Sequence, residues 1–427
     1  MYWSALKQKA GRRIVVTGMG SITPLGYTPQ EVFDNLLAGK SALIKIPKER
    51  FPEIDQIPVK IGGLLLDFDL EKWYKMMPYA PTQQSSHGFA AAVKAMEDSG
   101  YQPSSEEEKD LFGVIGGTGT SSGREVFDMY DKFYRSGEDL SIVPSNYIEN
   151  TDIHGMTASV SKYFKARGPS STVTAACATG QSVIMEAYRN ILLGEAKVML
   201  AFSAENVVIP YGMRGFASLG AINTKGNDDP VGAARPMDES REGLVASDGG
   251  NAVVLEDLEH ALKRGATIYG EVKGFSQNCD GYHLTRPTAE GQGIYRTMSK
   301  SLEMADVDPK DVQLVHAHAA GTKEGDKAEM KAIDRIFGNH MPYITGCKGN
   351  TGHMMCTVGT FHCIESLLSI QQSVIPPVKN LKNPIKVEGK LLKYVMEPTK
   401  AEVNNAIMNN VGFGGINSTL VVSKYVS

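Results

Sequence analysis

No apolar run in this chain approaches the roughly 20 residues a helix needs to cross a bilayer, so no membrane partner is expected. The segment Met1 to Arg13 carries Lys7, Lys9, Arg12 and Arg13 but neither an apolar core nor a cleavage site. It does not read as a signal peptide, and the expected location is cytoplasmic. Positive charge is not in excess: the formal net charge of −4 gives no whole-chain case for nucleic-acid binding. Cysteine is scarce. The five thiols, at 177, 279, 347, 356 and 363, form an odd, scattered set that argues against a disulfide framework. Cys347, His353, Cys356 and Cys363 are close enough in sequence to raise a zinc site, but they lack the paired C-x₂₋₄-C spacing of structural zinc knuckles, and no metal is expected. Low-complexity segments and long linkers are also lacking.

What is present is an ordinary globular composition, 42% hydrophobic and 22% charged, over 427 residues. That length exceeds one typical core and suggests two domains or two fused halves. Arg13 to Gly18 reads as a strand entering a tight Gly18-Met19-Gly20 turn, and the third glycine of a dinucleotide fingerprint is missing. Thr28-Pro29-Gln30-Glu31 opens a helix with a cap, a first-turn proline and a glutamate three residues on. Strands are expected at Lys109–Gly117, Lys197–Ser203 and Gly250–Leu255. A second round of elements follows, with a strand at Tyr269–Phe275, a helix at Tyr295–Ala305 and a strand at Val312–Ala317. Glu106–Glu108 reads as a solvated loop or helix start, and Asn227–Pro230 as a turn. Alternating strands and helices argue α/β. The break falls near Glu259 to Ala266, giving halves at 12–258 and 259–427.

The most informative segment is Thr174-Ala175-Ala176-Cys177-Ala178-Thr179-Gly180. Ser171–Thr174 reads as a buried strand and Gln181–Tyr188 as a helix, which puts Cys177 at a helix N-terminus. Unpaired N–H groups and the macrodipole there favour thiolate, the nucleophilic form. Taken alone, a buried structural cysteine is an equal alternative. Two later segments, Val315 to Glu329 and Lys348 to Met355, each set a histidine after an apolar run and beside small residues, as at the edge of a strand. Cysteine with remote histidines is a candidate nucleophile–base set.

From about Arg12 to the C-terminus the chain resembles the β-ketoacyl-acyl-carrier-protein synthases, or ketosynthases, of the thiolase superfamily. The motif T-A-C-A-T-G matches Ala175 to Gly180 with alanine first, and V-N-A-H-G-T-x-T-x-x-x-D-x-x-E matches Val315 to Glu329. K-x-x-x-G-H matches Lys348 to His353, N-x-x-G-F-G-G-x-N matches Asn409 to Asn417, and R-P-x-D-x-x-R-x-G runs from Arg235 to Gly243. The motifs are similar to those of KAS II-like enzymes and of type II polyketide ketosynthase subunits.

The resemblance implies a thiolase-like fold of two pseudo-repeated halves in a five-layered αβαβα sandwich. It implies a decarboxylative Claisen condensation of an acyl-cysteine with a malonyl thioester, in polyketide or specialised fatty-acyl synthesis. Cys177 would carry the acyl group, and His318 and His353 would serve the malonyl thioester. The backbone N–H groups of Cys177 and Phe413 would form the oxyanion hole, beside Gly412 and Gly414. Thr322 and Thr351 would hydrogen-bond a phosphopantetheine arm; either could instead be a turn residue. No permanently bound cofactor is implied. The implied partners are an acyl carrier protein, docked on a basic patch for which Lys72 and Lys75 are candidates, and a second subunit. That subunit would be a second copy or a chain-length-factor-like homologue lacking the cysteine, the heterodimer being favoured. A housekeeping fatty-acid KAS II, a non-condensing subunit and a thiolase are the alternatives, though a thiolase would place a second cysteine where Phe413 stands.

Departures from the family pattern surround the site. Ala319 and Ala320 replace Gly-Thr, Cys356-Thr357-Val358 replaces Gly-Ala-Ala, and Ser247 to Asn251 replaces Gly-Glu-Gly-Ala-Gly. His362 stands where the family has a glutamate that pairs with the lysine matching Lys348. A buried ammonium without a carboxylate is costly, so Glu329 or Glu365 is expected within hydrogen-bond reach of Lys348, with Glu329 favoured. Asp326 is a further supporting acid in the same motif. His316 and the other histidines have no assigned chemistry.

Overall fold

The computed structural model describes residues 11–426 except 80 and 121. The basic segment before residue 11 lies outside the described residues. Among these residues no helix is long and apolar enough to cross a membrane.

Ten strands form the large sheet: β1 (Ile14–Ile22), β2 (Phe112–Gly117), β3 (Ser170–Val173), β4 (Val198–Glu205), β5 (Gly249–Asp257), β6 (Gly270–Cys279), β7 (Leu314–His316), β8 (Tyr343–Thr345), β9 (Asn405–Gly412) and β10 (Ile416–Ser423). Their order is β8-β7-β9-β10-β6-β1-β5-β4-β2-β3. Read outward from the centre, the two halves repeat one pattern. β1 pairs antiparallel with β5, and β5 with β4, then β4 and β2 and finally β2 and β3 run parallel. β6, β10, β9, β7 and β8 repeat the same four relations. The halves join through β1 and β6, where Val15 and Val16 face Glu271 and Gly270.

The eight helices used below are α1 (Pro29–Leu37), α2 (Gln83–Ser99), α3 (Gly123–Arg135), α4 (Thr179–Leu193), α5 (Gln292–Ala305), α6 (Lys323–Phe337), α7 (Lys348–Thr351) and α8 (Val358–Gln372). α4 and α8 pack on each other and lie between the halves, α4 against β4 and β2, α8 against β9 and β10. α2 covers the outer face of β1, β5 and β4, and α5 covers β6 and β10. Helix, sheet, helix, sheet, helix gives the five-layered thiolase-like sandwich. The central helices are buried nearly all round. Val183, Ile184, Ile191, Cys363, Ile364 and Leu367 share one core cluster, while Gln181, His362 and Glu365 are buried polar groups on the same two helices.

Two local expectations are corrected. Gly18-Met19-Gly20 is not a turn but the middle of β1. A Cβ on Gly20 would stand 2.1 Å from the Ala91 carbonyl oxygen and one on Gly18 2.3 Å from that of Ala95, so these glycines let α2 sit directly on the strand. The strand before Cys177 is not buried. β3 is the edge of the sheet, exposed or half-buried throughout and paired only with β2.

Candidate active site

Cys177 lies just before the N-terminus of α4, whose N-cap is Ala178. The turn delivering it is tight. Ala176 has φ of +48°, a left-handed conformation that costs an alanine roughly 1 kcal/mol. Thr179 holds the turn: its hydroxyl accepts from the Ala175 N–H (2.7 Å) and donates to the Ala176 carbonyl (2.7 Å). The Asn410 amide donates to the Cys177 carbonyl at 3.3 Å.

His318 follows β7 in a loop built on two acids. Glu329 accepts from the N–H groups of His318 and Ala319, both at 2.8 Å, and from the Asn409 amide at 3.1 Å. Asp326 accepts from the N–H groups of Gly321, Thr322 and Met237. Both acids are therefore loop-holding groups. His353 does not follow a strand directly. α7 intervenes after β8, and His353 bridges to Ala246. The Met355 N–H donates to His353 Nδ1 at 3.1 Å, which puts the ring proton on Nε2. The two imidazoles meet edge to face with centroids 5.2 Å apart.

Cys177, His318, His353, Gly412 and Phe413 line one cavity of about 560 Å³. Gly412 approaches the nucleophile turn so closely that a Cβ would stand 3.2 Å from the Cys177 nitrogen. Phe413 opens a turn carried by Gly414 and Gly415 at φ of +84° and +75°. That turn is pinned by the Gly414 N–H on the Leu284 carbonyl (2.6 Å) and the Asp280 N–H on that of Gly415 (2.8 Å). Gly414 itself is exposed and does not line the cavity. Thr322 does line it. Thr351 does not: its buried hydroxyl donates to the Gly352 carbonyl at 2.8 Å, the geometry of the turn-residue alternative. The loops carrying Leu219, Glu242, His283 and Arg286 complete the wall. Glu242 lies within the Arg235–Gly243 motif, and the Asp280–His283 segment resembles one near the family's acyl pocket, whereas Leu219 and Arg286 lie in no motif.

Burial opposes the pull of the helix N-terminus on the Cys177 thiol. Burial pushes the Cys177 thiol up to about 12, against the opposing pull of the Lys348 charge. Burial, then Lys348, holds His318 and His353 well below the usual histidine range, so both are neutral donors or acceptors. The cavity thus contains a thiol and two neutral imidazoles.

Lys348 is buried and its ammonium donates to the His318 carbonyl. The expected carboxylate partner is absent: neither Glu329 nor Glu365 makes a hydrogen bond or close ion pair with it. Glu329 is committed to the loop, and Glu365 Oε2 lies 2.7 Å from His316 Nε2. Burial lowers the lysine's pKa, while the charges of Glu329 and Asp326 oppose that from a distance. His362 packs against His316 with ring centroids 3.9 Å apart and the planes tilted by 32°. Lys75 lies 3.9 Å from Glu71 one helical turn away, and the Lys72 ammonium sits 4.9 Å from the centroid of the Trp73 ring.

The model of the β-ketoacyl synthase N-terminal domain matches residues 11–261 and that of the C-terminal domain residues 269–382. The chain belongs to the β-ketoacyl synthase family. It is 34% identical to the 3-oxoacyl-[acyl-carrier-protein] synthase 2 of Rhizobium meliloti, over 97% of this chain and 99% of that protein. Its fold matches a β-ketoacyl synthase from Burkholderia phymatum with a TM-score of 0.87 and 30% identity, covering 97% and 100% of the two chains. A type II polyketide ketosynthase, solved in complex with its acyl-carrier protein and bound to the hexaketide, matches with the same TM-score and coverage at 26% identity. The synthase is accordingly an acyltransferase of the 3-oxoacyl-carrier-protein type.

Proposed function

We propose that Cys177 accepts an acyl group from a phosphopantetheine thioester of an acyl carrier protein and that His318 and His353 drive condensation with a malonyl thioester. The carrying observation is one cavity that joins this thiol to two neutral imidazoles, one with its proton fixed on Nε2. In the first half-reaction the Cys177 sulfur bonds to the acyl carbonyl, whose oxyanion accepts from the N–H groups of Cys177 and Phe413. The C–S bond to pantetheine breaks, and the thiol proton passes to the departing sulfur. In the second, the malonyl C–CO₂ bond breaks and its electron pair forms an enolate, whose oxygen accepts from the imidazole N–H groups. The enolate carbon bonds to the acyl carbonyl, the Cys177 C–S bond breaks, and the thiolate takes up one proton from solvent, the proton that loss of CO₂ from a carboxylate consumes. Donors aimed at a developing oxyanion are worth about 10²–10³ in rate each.

The pathway reading is a dissociated polyketide or specialised fatty-acyl system. Ala320, which replaces the family threonine, lines the cavity, and His362, which replaces the family glutamate, is buried against His316. The name of the Rhizobium relative favours the second reading, a general fatty-acid elongating synthase. Loading from acyl carrier proteins of graded chain length, read by intact mass, tests both. An acyl adduct that persists in Cys177→Ala would sink the mechanism, and efficient loading and elongation of long saturated chains would favour the general enzyme.

A further inference from the structure

Behind the catalytic cavity lies a second group of ligating side chains that the condensation does not use. His316 ends β7, Cys347 immediately precedes α7, and His362 stands in the first turns of α8. The three are buried, and their potential ligand atoms all lie within 4.8 Å of one another. No other such group of three occurs among the described residues. It is not the group that sequence spacing raised, since His353, Cys356 and Cys363 take no part.

The hydrogen bonding singles this place out. His316 Nε2 is engaged by Glu365 Oε2 at 2.7 Å. His316 Nδ1, both nitrogens of His362 and Glu365 Oε1 have no hydrogen-bond partner among the described residues. A buried polar atom left unsatisfied costs about 1–3 kcal/mol, so four together in a well-packed core call for a compensating partner.

We propose that His316 Nδ1, Cys347 Sγ and one nitrogen of His362 bind a zinc ion. Neutral imidazole and thiolate suit zinc and disfavour magnesium or calcium, which take oxygen ligands. Zinc bonds of about 2.0–2.3 Å put tetrahedral ligand atoms roughly 3.3–3.7 Å apart, so closure from the present spacing needs side-chain shifts of about 1 Å. Glu365 completes the arrangement: it accepts the Nε2 proton of His316 and turns Nδ1 toward the ion, as carboxylates do behind metal-bound histidines. On binding, the Cys347 S–H bond breaks, the sulfur lone pair joins zinc and one proton leaves to solvent. The thiolate and the Glu365 carboxylate then balance the dication. The ion ties three elements together at the base of the active site. His316 is two residues before His318, Cys347 is one before Lys348, and α8 carries His362. Its role is to position these elements.

The site is closed to solvent, so the ion is loaded during folding. The test is therefore metal content of the full chain expressed with zinc, cobalt or copper supplementation and read by mass spectrometry of the eluted protein. About one zinc per chain is expected in the wild type and in Cys177→Ala, falling tenfold or more in Cys347→Ser and in His362→Gln. Cobalt-grown wild type should show a thiolate-to-cobalt charge-transfer band that Cys347→Ser lacks. Should Cys347→Ser prove insoluble, His362→Gln and the cobalt spectrum of the wild type decide. Folded wild type with less than about a tenth of an equivalent of any of the three metals overturns the site, as does zinc content unchanged in the variants. Copper held in place of zinc overturns the choice of ion, and zinc lost in Cys177→Ala would assign the metal to the catalytic cavity instead.

Discussion

At the scale of single residues, the site depends on how burial is compensated. Lys348 illustrates it. A buried ammonium usually needs a carboxylate, but here it is held by the His318 carbonyl and by the distant charges of Glu329 and Asp326. Burial keeps both imidazoles neutral, the Lys348 charge adds to that, and the same charge partly offsets the burial of Cys177. Because the Met355 N–H occupies His353 Nδ1, the proton available to substrate sits on Nε2. His353→Asn keeps a donor but moves it, and is expected to lower CO₂ release by about 10²–10³ while acyl loading of Cys177 changes by less than about tenfold. Radiolabelled CO₂ release and intact-mass loading measure the two separately, and equal losses would put His353 in acyl transfer. Restoring the family residue in His362→Glu sets a second carboxylate beside Glu365. We expect elongation with the native carrier protein to fall, read as initial rate; wild-type activity would make His362 a neutral replacement. Cys177, His318 and His353 were singled out because each lies in a short family motif; local sequence alone left Cys177 an even choice between nucleophile and core residue, and only the fold brings the three into one cavity. The lysine's partner was not legible, since which acid reaches it depends on loop hydrogen bonds that join residues far apart in sequence.

At the scale of elements, α2 shows what sequence patterns miss. Gly18 and Gly20 invite a turn when read locally, and only the helix lying on them reveals a strand that needs its bare backbone. Gly20→Ala should therefore cost about 2–3 kcal/mol through overpacking, measured as a lowered denaturant midpoint at unchanged slope. A surface glycine such as Gly265, with nothing near its Cβ position, is a poor control because its φ is +70°; Lys40→Ala on the exposed connection after α1 serves instead. α2 also carries His87, fully buried, its ring edge-on to Phe68 at 5.2 Å. Burial pushes His87 down to about 4, partly opposed by the Glu205 carbonyl. Between that value and the ordinary 6.5 the unfolded chain binds the proton and the folded chain does not. Stability is therefore full above pH 6.5 and falls as the pH drops toward 4, by up to about 3 kcal/mol. His87→Gln should flatten that part of the stability–pH curve in urea titrations. An unchanged slope would mean that other groups dominate acid unfolding.

At the scale of the whole molecule, the repeated strand order explains why the two halves were visible as a recurrence of elements without a sequence repeat: topology is shared while side chains are not. It also leaves one edge open. β3 pairs only with β2, and its four residues are exposed or half-buried. An unpaired edge is a template for another strand, and natural proteins cover it or use it. From that edge a chain of contacting helices leads through residues 154–164 and 147–151 to α3. Along it Phe127, Tyr130, Tyr134, Leu140, Ile148 and Ile153 are exposed, an apolar surface that a monomer would leave in water. Tyr130 and Tyr134 are four residues apart and share one face of α3. We expect the synthase to associate through this surface, with β3 of each subunit edge to edge. Light scattering after gel filtration at micromolar concentration should give about twice the 46.2 kDa chain mass for a homodimer. A monomeric mass for the wild type alone, converted to a dimeric one by co-expression with a cysteine-lacking homologue, would instead identify the heterodimer. Tyr130→Glu combined with Tyr134→Glu buries two charges in such an interface and should produce monomer with unchanged helix content by circular dichroism. A double variant that keeps the wild-type mass would place the contact elsewhere.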